Sequence, residues 1–318
     1  MVNARFRQSR TLRNDRMNRS FATVSCFLEL TRPRRSASVL FSVLVFKRKG
    51  GGVNIIVVNP KATRLRKDDR IRNIIRRDFS QFGHIIDCDE QDDVIKQLNQ
   101  LAQQGTITKI YVVGGDGTFN HVLNWIIGQP TQQRPSIVSV GGGEFCYMAR
   151  FHGFKSRNPL KNLSDIFHRK LQLTQRNWQP VCMQDSGSDI KRHAAVFANG
   201  IICDMIDWYE EKGKGGLVSV IKIVCLTILS VLSERIRLAS NRIHFLKGRI
   251  FLDQRAIHPK HYVGFTFGAV PELVRSCRPF KGQSKPNHFS GIVYWGGLKR
   301  LATAALFIWL GRMPPWIK

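Results

Sequence analysis

From Val53 onward, the apolar positions of this 318-residue chain alternate between two periods. Val53 to Val58 is a short β-branched run ending at Asn59-Pro60. Ile71, Ile74, Ile75, Phe79 and Phe82 then recur at helical spacing until Gly83 stops them. His84 to Cys88 reads as a second strand. Asp92 to Gln104 reads as a second helix, with Val94, Ile95, Leu98, Leu101 and Ala102 on one face and Gly105 at its end. Ile110 to Val113 gives the third strand, Phe119 to Ile127 the third helix, Ile137 to Val140 the fourth strand and Glu144 to Phe151 a fourth helix. Strands and helices in strict alternation predict a parallel sheet with right-handed crossovers.

That pattern brings the unusual residues to one place. Asn59-Pro60 follows strand one, Gly114-Gly115-Asp116-Gly117-Thr118 follows strand three, and Gly141-Gly142-Gly143 follows strand four. In an open α/β sheet, all three lie at the carboxyl edge, where ligands bind. Glycines let backbone N–H groups approach an anion with no Cβ in the way, and the following helix adds its positive N-terminal end. A carboxylate in that loop repels a bare nucleotide, so Asp116 makes chemical sense if a divalent cation stands between it and the phosphates. The competing reading is a tight strand-to-helix turn with Asp116 or Thr118 as N-cap, and Gly141 to Gly143 alone also read as a flexible turn. No Gly-x-Gly-x-x-Gly follows strand one, which argues against an ordinary dinucleotide domain.

After about residue 155 the texture changes. Arg157 to Asp189 is polar and turn-rich. Ala194 to Asn199, Ile243 to Phe245, Arg249 to Leu252 and Tyr262 to Phe267 then read as strands, with Lys247-Gly248 as a hairpin turn. The expected organisation is a nucleotide-binding α/β domain over 53–155 and a second, mainly β domain over 156–318. Leu217 to Leu232 and Leu298 to Leu310 are apolar stretches interrupted or flanked by Lys222, Lys299 and Arg300, and they read as buried or interfacial helices.

Charge narrows the partners. Fifty Lys and Arg face 22 Asp and Glu, giving a net charge of +28 and a pI near 10.6. Such a balance favours an anionic partner: nucleic acid, an anionic membrane surface or a phosphate-rich substrate. Aromatic residues are not interleaved with basic ones as in RNA-binding signatures, and no zinc-finger or recognition-helix spacing occurs, so nucleic acid is not expected. Residues 1–52 carry twelve Lys or Arg up to Lys49 against Asp15 and Glu29, with no sustained period. They read as a disordered basic arm, an Arg-rich targeting peptide or sequence ahead of the true start. Ser36 to Phe46 is too short to span a bilayer. Seven widely spaced cysteines without a Cys-x-x-Cys pair read as reduced thiols in a cytosolic setting. His258 and His261 have a metal-like spacing with no carboxylate or thiol to complete a ligand set.

Taken together, these residues resemble the diacylglycerol kinase catalytic domain superfamily, which includes sphingosine-type and bacterial soluble lipid kinases and shares its glycine-aspartate loop with NAD kinases and phosphofructokinases. The matches are Asn59-Pro60-Lys61, Gly114 to Thr118 with Asn120, Gly141 to Gly143 followed by Ala149-Arg150 and Gly153, and Asn199-Gly200 with Asp204. The resemblance implies transfer of the γ-phosphoryl group of ATP, with Mg²⁺, to a lipid hydroxyl of a diacylglycerol or sphingoid base. It also implies a nucleotide site between an α/β domain and a β-sandwich domain. Asn59, Pro60 and Lys61 would seat the nucleotide; Gly114, Gly115, Asp116, Gly117 and Thr118, with Asn120, would hold phosphates and metal. Gly141, Gly142, Gly143 and Glu144 would close the pocket, with Asp116 as metal ligand and catalytic residue. A cytoplasmic protein touching a membrane peripherally, with a homodimer as one possible assembly, follows from the same resemblance.

The chain also departs from that pattern. Glu144-Phe145 stand where the family usually has Asn and then Asp or Glu, His121 stands where a Glu often follows the loop, and Thr63 replaces a usual glycine. Ser290-Gly291 stand near a familiar Asp-Gly, and no C-terminal Asp-Gly-Glu, the source of a candidate base in relatives, precedes Lys318. Two expectations follow: a truncated second domain, or a homologue that binds nucleotide or lipid with catalysis impaired. A kinase for a soluble substrate such as NAD, using the same loop, is a third.

Overall fold

The computed structural model describes residues 52–88, 91–168, 170–171, 173, 176–185, 191–211, 222, 246–247, 250–252, 255–257, 261–271 and 289–295, with short strands at 3–6, 29–31 and 39–41. Where the periodicity predicts no element ahead of Val53, three short strands occur: β1 (Asn3–Phe6), β2 (Glu29–Thr31) and β3 (Val39–Phe41). Strands of three or four residues are too short to display a period, and their pairing uses only backbone groups.

The regular part begins with β4 (Val53–Val58), then α1 (Thr63–Lys67), α2 (Asp69–Phe79), β5 (His84–Asp87), α3 (Gln91–Gln104), β6 (Ile107–Gly114), α4 (Asp116–Gly128), β7 (Ser136–Gly142), α5 (Tyr147–Phe151) and α6 (Pro159–Phe167). The four strands form one parallel sheet in the order β5-β4-β6-β7. Both faces are covered. Ile56, Val58, Tyr111, Val113, Val138 and Val140 pack with Leu65, Ile75, Phe79, Leu163 and Ile166 on one side; Ile55, Val57, Ile110, Val112 and Ile137 pack with Val94, Leu98, Phe119, Val122 and Leu123 on the other. Burial on both faces is why these strands read as continuous apolar runs instead of alternating ones.

The remaining described elements are β8 (Arg176–Trp178), β9 (Val181–Asp185), β10 (Lys191–Ala194), β11 (Val196–Gly200), α7 (Ile201–Glu211), β12 (Leu246–Lys247), β13 (Ile250–Leu252), β14 (Arg255–Ile257), β15 (His261–Gly268) and β16 (Ser290–Trp295). Most of their pairings are antiparallel. β15 lies between β11 and β16 and also pairs with β12, β13 pairs with β14, and β9 lies between β10 and β1, the last in parallel. The fold class read from the sequence therefore holds: a parallel α/β sheet with helices, and antiparallel strands elsewhere.

Several details differ from expectation. The polar stretch after Arg157 contains α6, whose first turn is set by Asn158 accepting from the Leu160 amide and by Pro159. Of the hairpin expected about Lys247-Gly248, residues 243–245 and 248–249 lie outside the described residues; the described β12 pairs with β15 and β13 with β14. The expected strand Ala194–Asn199 divides at Ala195, whose carbonyl accepts the Ala269 amide. The apolar stretches Leu217–Leu232 (apart from Lys222) and Leu298–Leu310, and His258, lie outside the described residues. No helix among the described residues is long and apolar enough to cross a membrane.

Two histidines tie this core to pH. His152 accepts the Ser139 amide through Nδ1 at 2.9 Å, and burial pushes its pKa down to about 4. His193 is also held at about 4, first by burial and then by the charges of Arg134 and Lys191. An unfolded chain takes up these protons near pH 6.5, whereas the folded chain resists until about 4, so their contribution is complete above 6.5 and is lost as pH falls through that window. The Tm should fall on acidification from pH 7 to pH 4, and the His152→Asn protein, though less stable at pH 7, should show a shallower slope in the same melts. An unchanged slope would remove His152 from the account.

Candidate nucleotide site

Asn59 is the first fixed point. Its amide donates to the Val113 carbonyl at 2.9 Å, carrying the β4–β6 ladder one step past the strand. Its side-chain Oδ1 accepts the Lys61 amide at 2.9 Å, which closes an Asx turn through Pro60, and its Nδ2 donates to Thr118 Oγ1 at 2.7 Å. One side chain thus joins the loop after β4 to the loop after β6.

The second fixed point is bare backbone. Between Val112 and Val113 the β6–β7 register slips, so that Val113 faces Gly141 and Gly114 faces Gly142. The extra residue on β7 is Val140, and the two residues after it, Gly141 and Gly142, take φ values of 97° and 125° that favour glycine. These two glycines belong to the strand; the expected fourth strand stopped at Val140 and left them in a loop. Beyond them the Gly143 amide donates to the Gly114 carbonyl at 3.1 Å. A Cβ on Gly143 would lie 2.5 Å from the Gly115 Cα, so the two loops meet closer than any side chain allows.

Asp116 is the third. It does not cap its own helix: the N-cap of α4 is Gly115, and no side chain caps that end. Its carboxylate reaches across instead to accept the amides of Tyr147 at 3.3 Å and Met148 at 3.1 Å, the start of α5. The expected helix from Glu144 accordingly begins at Tyr147, since Cys146 sits in the left-handed region at φ 49° and the preceding residues bend. Burial raises the Asp116 carboxyl to about 6, against the backbone hydrogen bonds from Met148 and Tyr147 and the charge of Arg150, which pull it down. A buried carboxyl that resists ionising is one that a cation would bring back to full charge.

Beside this junction opens a cleft of about 420 Å³, lined by Thr63, Arg64, Lys67 and Ile71 on one side, by Gly143, Glu144 and Phe145, and by Arg157, Asn158 and Pro159. Of the residues expected at the site, Gly143 and Glu144 line it. Asn59, Gly114, Thr118 and Asp116 instead lock the loops together behind the rim. Gly117 presents its Cα to open space, with no atom within 4 Å of where a Cβ would be. Asn120, one turn along α4, gives a side-chain hydrogen bond to the Tyr147 phenol. Asn199 and Gly200 lie apart on β11, where Asn199 Oδ1 accepts the Gly200 amide at 2.6 Å. Sequence reasoning passed over Arg64, Lys67 and Arg157. A Thr-Arg-x-x-Lys run straight after an Asn-Pro turn was the available signal for the first two; Arg157 had none, because α6 was not foreseen.

Residues 54–175 match the family model of the diacylglycerol kinase catalytic domain. The likeness read from the three glycine loops is therefore shown over that segment. Solved structures from Bacillus anthracis str. Sterne named as diacylglycerol kinases share the fold: one has a TM-score of 0.53 at 16% identity, over 84% of this chain and 83% of that one. Another gives 0.51 at 16%, over 81% and 80%, and a third 0.50 at 17%, over 83% and 79%. A search of curated proteins finds no match.

Two outcomes follow from the geometry. Gly143→Ala forces backbone against backbone and should cost about 1–3 kcal/mol of stability, read from urea denaturation; a neutral result would mean the loops do not meet as described. In the ligand-free protein, ¹³C NMR should find the Asp116 carboxyl titrating near 6, and Arg150→Met should move that midpoint upward by removing a favourable charge. A downward movement would contradict the assigned balance.

Proposed function

We propose that this chain is an ATP-dependent lipid kinase, transferring the γ-phosphoryl group to a hydroxyl of a diacylglycerol-like or sphingoid lipid with Mg²⁺. One observation carries it: at the uncapped N-terminus of the thirteen-residue α4, bare backbone at Gly115 and Gly117 faces Gly143 and open space, beside the cleft. Uncapped first-turn amides and glycines without steric cover form a cradle for phosphate. The residues fit a triphosphate. For magnesium they offer the Asp116 carboxylate, one of the few protein ligands such an ion takes beside phosphate oxygens and water.

Bound there, Mg-ATP would supply the electrophilic phosphorus and the charge that neutralises the transferred group. The chain's own part is positioning. Asn59 keeps the loop after β4 against Thr118, Gly143 keeps the β7 loop against Gly114, and Asp116 keeps α5 in place. Rigid placement accounts for much of what a phosphoryl-transfer enzyme must provide. The net charge of +28 favours work at an anionic membrane surface from the cytoplasmic side. A second reading, a homologue that binds nucleotide without turning it over, is favoured by the Asp116 carboxylate being occupied by two amides and by Glu144-Phe145 replacing the family's polar pair.

The test uses the full chain, radiolabelled ATP and mixed micelles carrying diacylglycerol or a sphingoid base. Label should enter lipid, and Asp116→Ala should abolish it. Gly117→Ala separates folding from binding: nothing crowds its new methyl group, so the Tm should hold while ATP affinity falls tenfold or more. Tight Mg-ATP binding without transfer would select the second reading. ATP affinity indifferent to magnesium and to Gly117→Ala would sink both.

A further inference from the structure

We infer that the cleft between α1 and α6 is a phosphate-binding site in its own right, with Arg64, Lys67 and Arg157 as its ligands. The inference goes beyond the kinase reading, since none of these three residues belongs to the glycine loops from which that reading is drawn.

Charge is the first argument. Arg64, Lys67 and Arg157 line the cleft with Glu144 as the one carboxylate, leaving an excess of two positive charges in about 420 Å³. That volume falls in the range of small-ligand pockets. The ion pairs among the described residues join Arg72 and Arg76 to Asp87, Arg77 to Asp78 and Lys96 to Asp93; none includes the three cleft cations. Here Glu144 is the one carboxylate among the described lining residues and offsets one of three cations, although like charges sharing one concavity repel. A phosphate removes that cost.

Placement is the second argument. Leu65, 1% exposed, anchors α1 so closely that a Cβ on Gly142 would meet its Cδ1 at 2.8 Å. Its neighbour Arg64 is thereby fixed at the glycine rim, near enough to draw the Cys146 thiol pKa down against its burial. Arg157 lines the cleft from the segment before α6, next to Asn158, whose Oδ1 accepts the Leu160 amide. Two guanidinium groups, one from α1 and one from the segment before α6, suit bidentate contacts to phosphate oxygens, and the more exposed Lys67 adds a point charge.

A phosphate here could belong to a nucleotide reaching past Gly143 or to a lipid headgroup. The experiment separates these sources. Inorganic phosphate is titrated into the full chain and followed by calorimetry and ³¹P line width. Saturable binding is expected, weakened tenfold or more in the Arg64→Gln/Arg157→Gln protein, a few fold in Lys67→Gln, and unchanged in Arg66→Gln, an exposed cation of α1 outside the cleft. Should the double variant fail to fold, Lys67→Gln against Arg66→Gln carries the same comparison. Displacement of phosphate by Mg-ATP identifies the nucleotide as the source. Displacement by phosphatidic acid in phosphatidylcholine vesicles, and not by phosphatidylcholine alone, identifies a headgroup; displacement by neither makes free phosphate the ligand. Equal phosphate affinity in the wild type and the folded double variant, or an equal loss in Arg66→Gln, overturns the inference. Phosphate binding that survives in a protein unable to bind ATP would defeat the kinase reading and leave this one standing; the reverse pattern would do the opposite.

Discussion

The contact between Gly143 and Gly115 is the constraint on which the site depends. Two parallel strands deliver their loops to one edge, but ordinary side chains would hold those loops apart. Gly114 and Gly143 abolish the spacing, and the amide of one donates to the carbonyl of the other at 3.1 Å. The register slip that puts Gly142 opposite Gly114 is part of the same device, because without the extra residue on β7 the second loop would arrive one position out of step. A β-branched residue at either site would open the edge, and Asn59 would then bridge to a Thr118 that no longer faced it.

Asp116 divides its chemistry between structure and charge. Its two accepted amides make it the cap of α5, which ordinarily stabilises a carboxylate's charge. Burial nevertheless dominates and lifts the carboxyl to about 6. The group therefore ionises less readily than an exposed carboxyl, while hydrogen bonds hold its geometry. Arg150 supplies some charge compensation from the far end of the same short helix. The cost of burying the carboxylate is set against the start of α5, which its two hydrogen bonds hold in place.

Much of this was legible in the chain. The 53–155 alternation was readable because buried parallel strands are uniformly apolar and their helices keep a 3.6 period, as Ile71, Ile75 and Phe79 do. The convergence of Asn59, Gly114 and Gly143 followed from topology alone. What escaped reading rests on contacts distant in sequence. Nothing near Glu144 announces that a carboxylate 31 positions earlier than Tyr147 will start the helix there. Pairing of β12 with β15, fourteen or more positions away, is likewise a tertiary choice. The cleft cations were hidden for another reason: in a chain so basic, single arginines carry no signal until neighbours reveal which of them lack a carboxylate.

Helix α4 joins the two halves of the argument. Its first turn faces the glycine junction. Two turns on, Asn124 donates to the His193 carbonyl and accepts the His193 amide, each at 2.7 Å, so that one side chain imitates a strand partner for β10. Its Nδ2 also donates to the Asn120 carbonyl at 2.7 Å, which fixes its rotamer from within the helix. Eight residues of helix span about 12 Å, so the glycine-facing end and the clamp on β10 belong to one stiff rod. Any shift of α4 at Gly115 must either break two short hydrogen bonds to a buried backbone or carry β10 with it. β10 is therefore coupled mechanically to the glycine rim through a single helix.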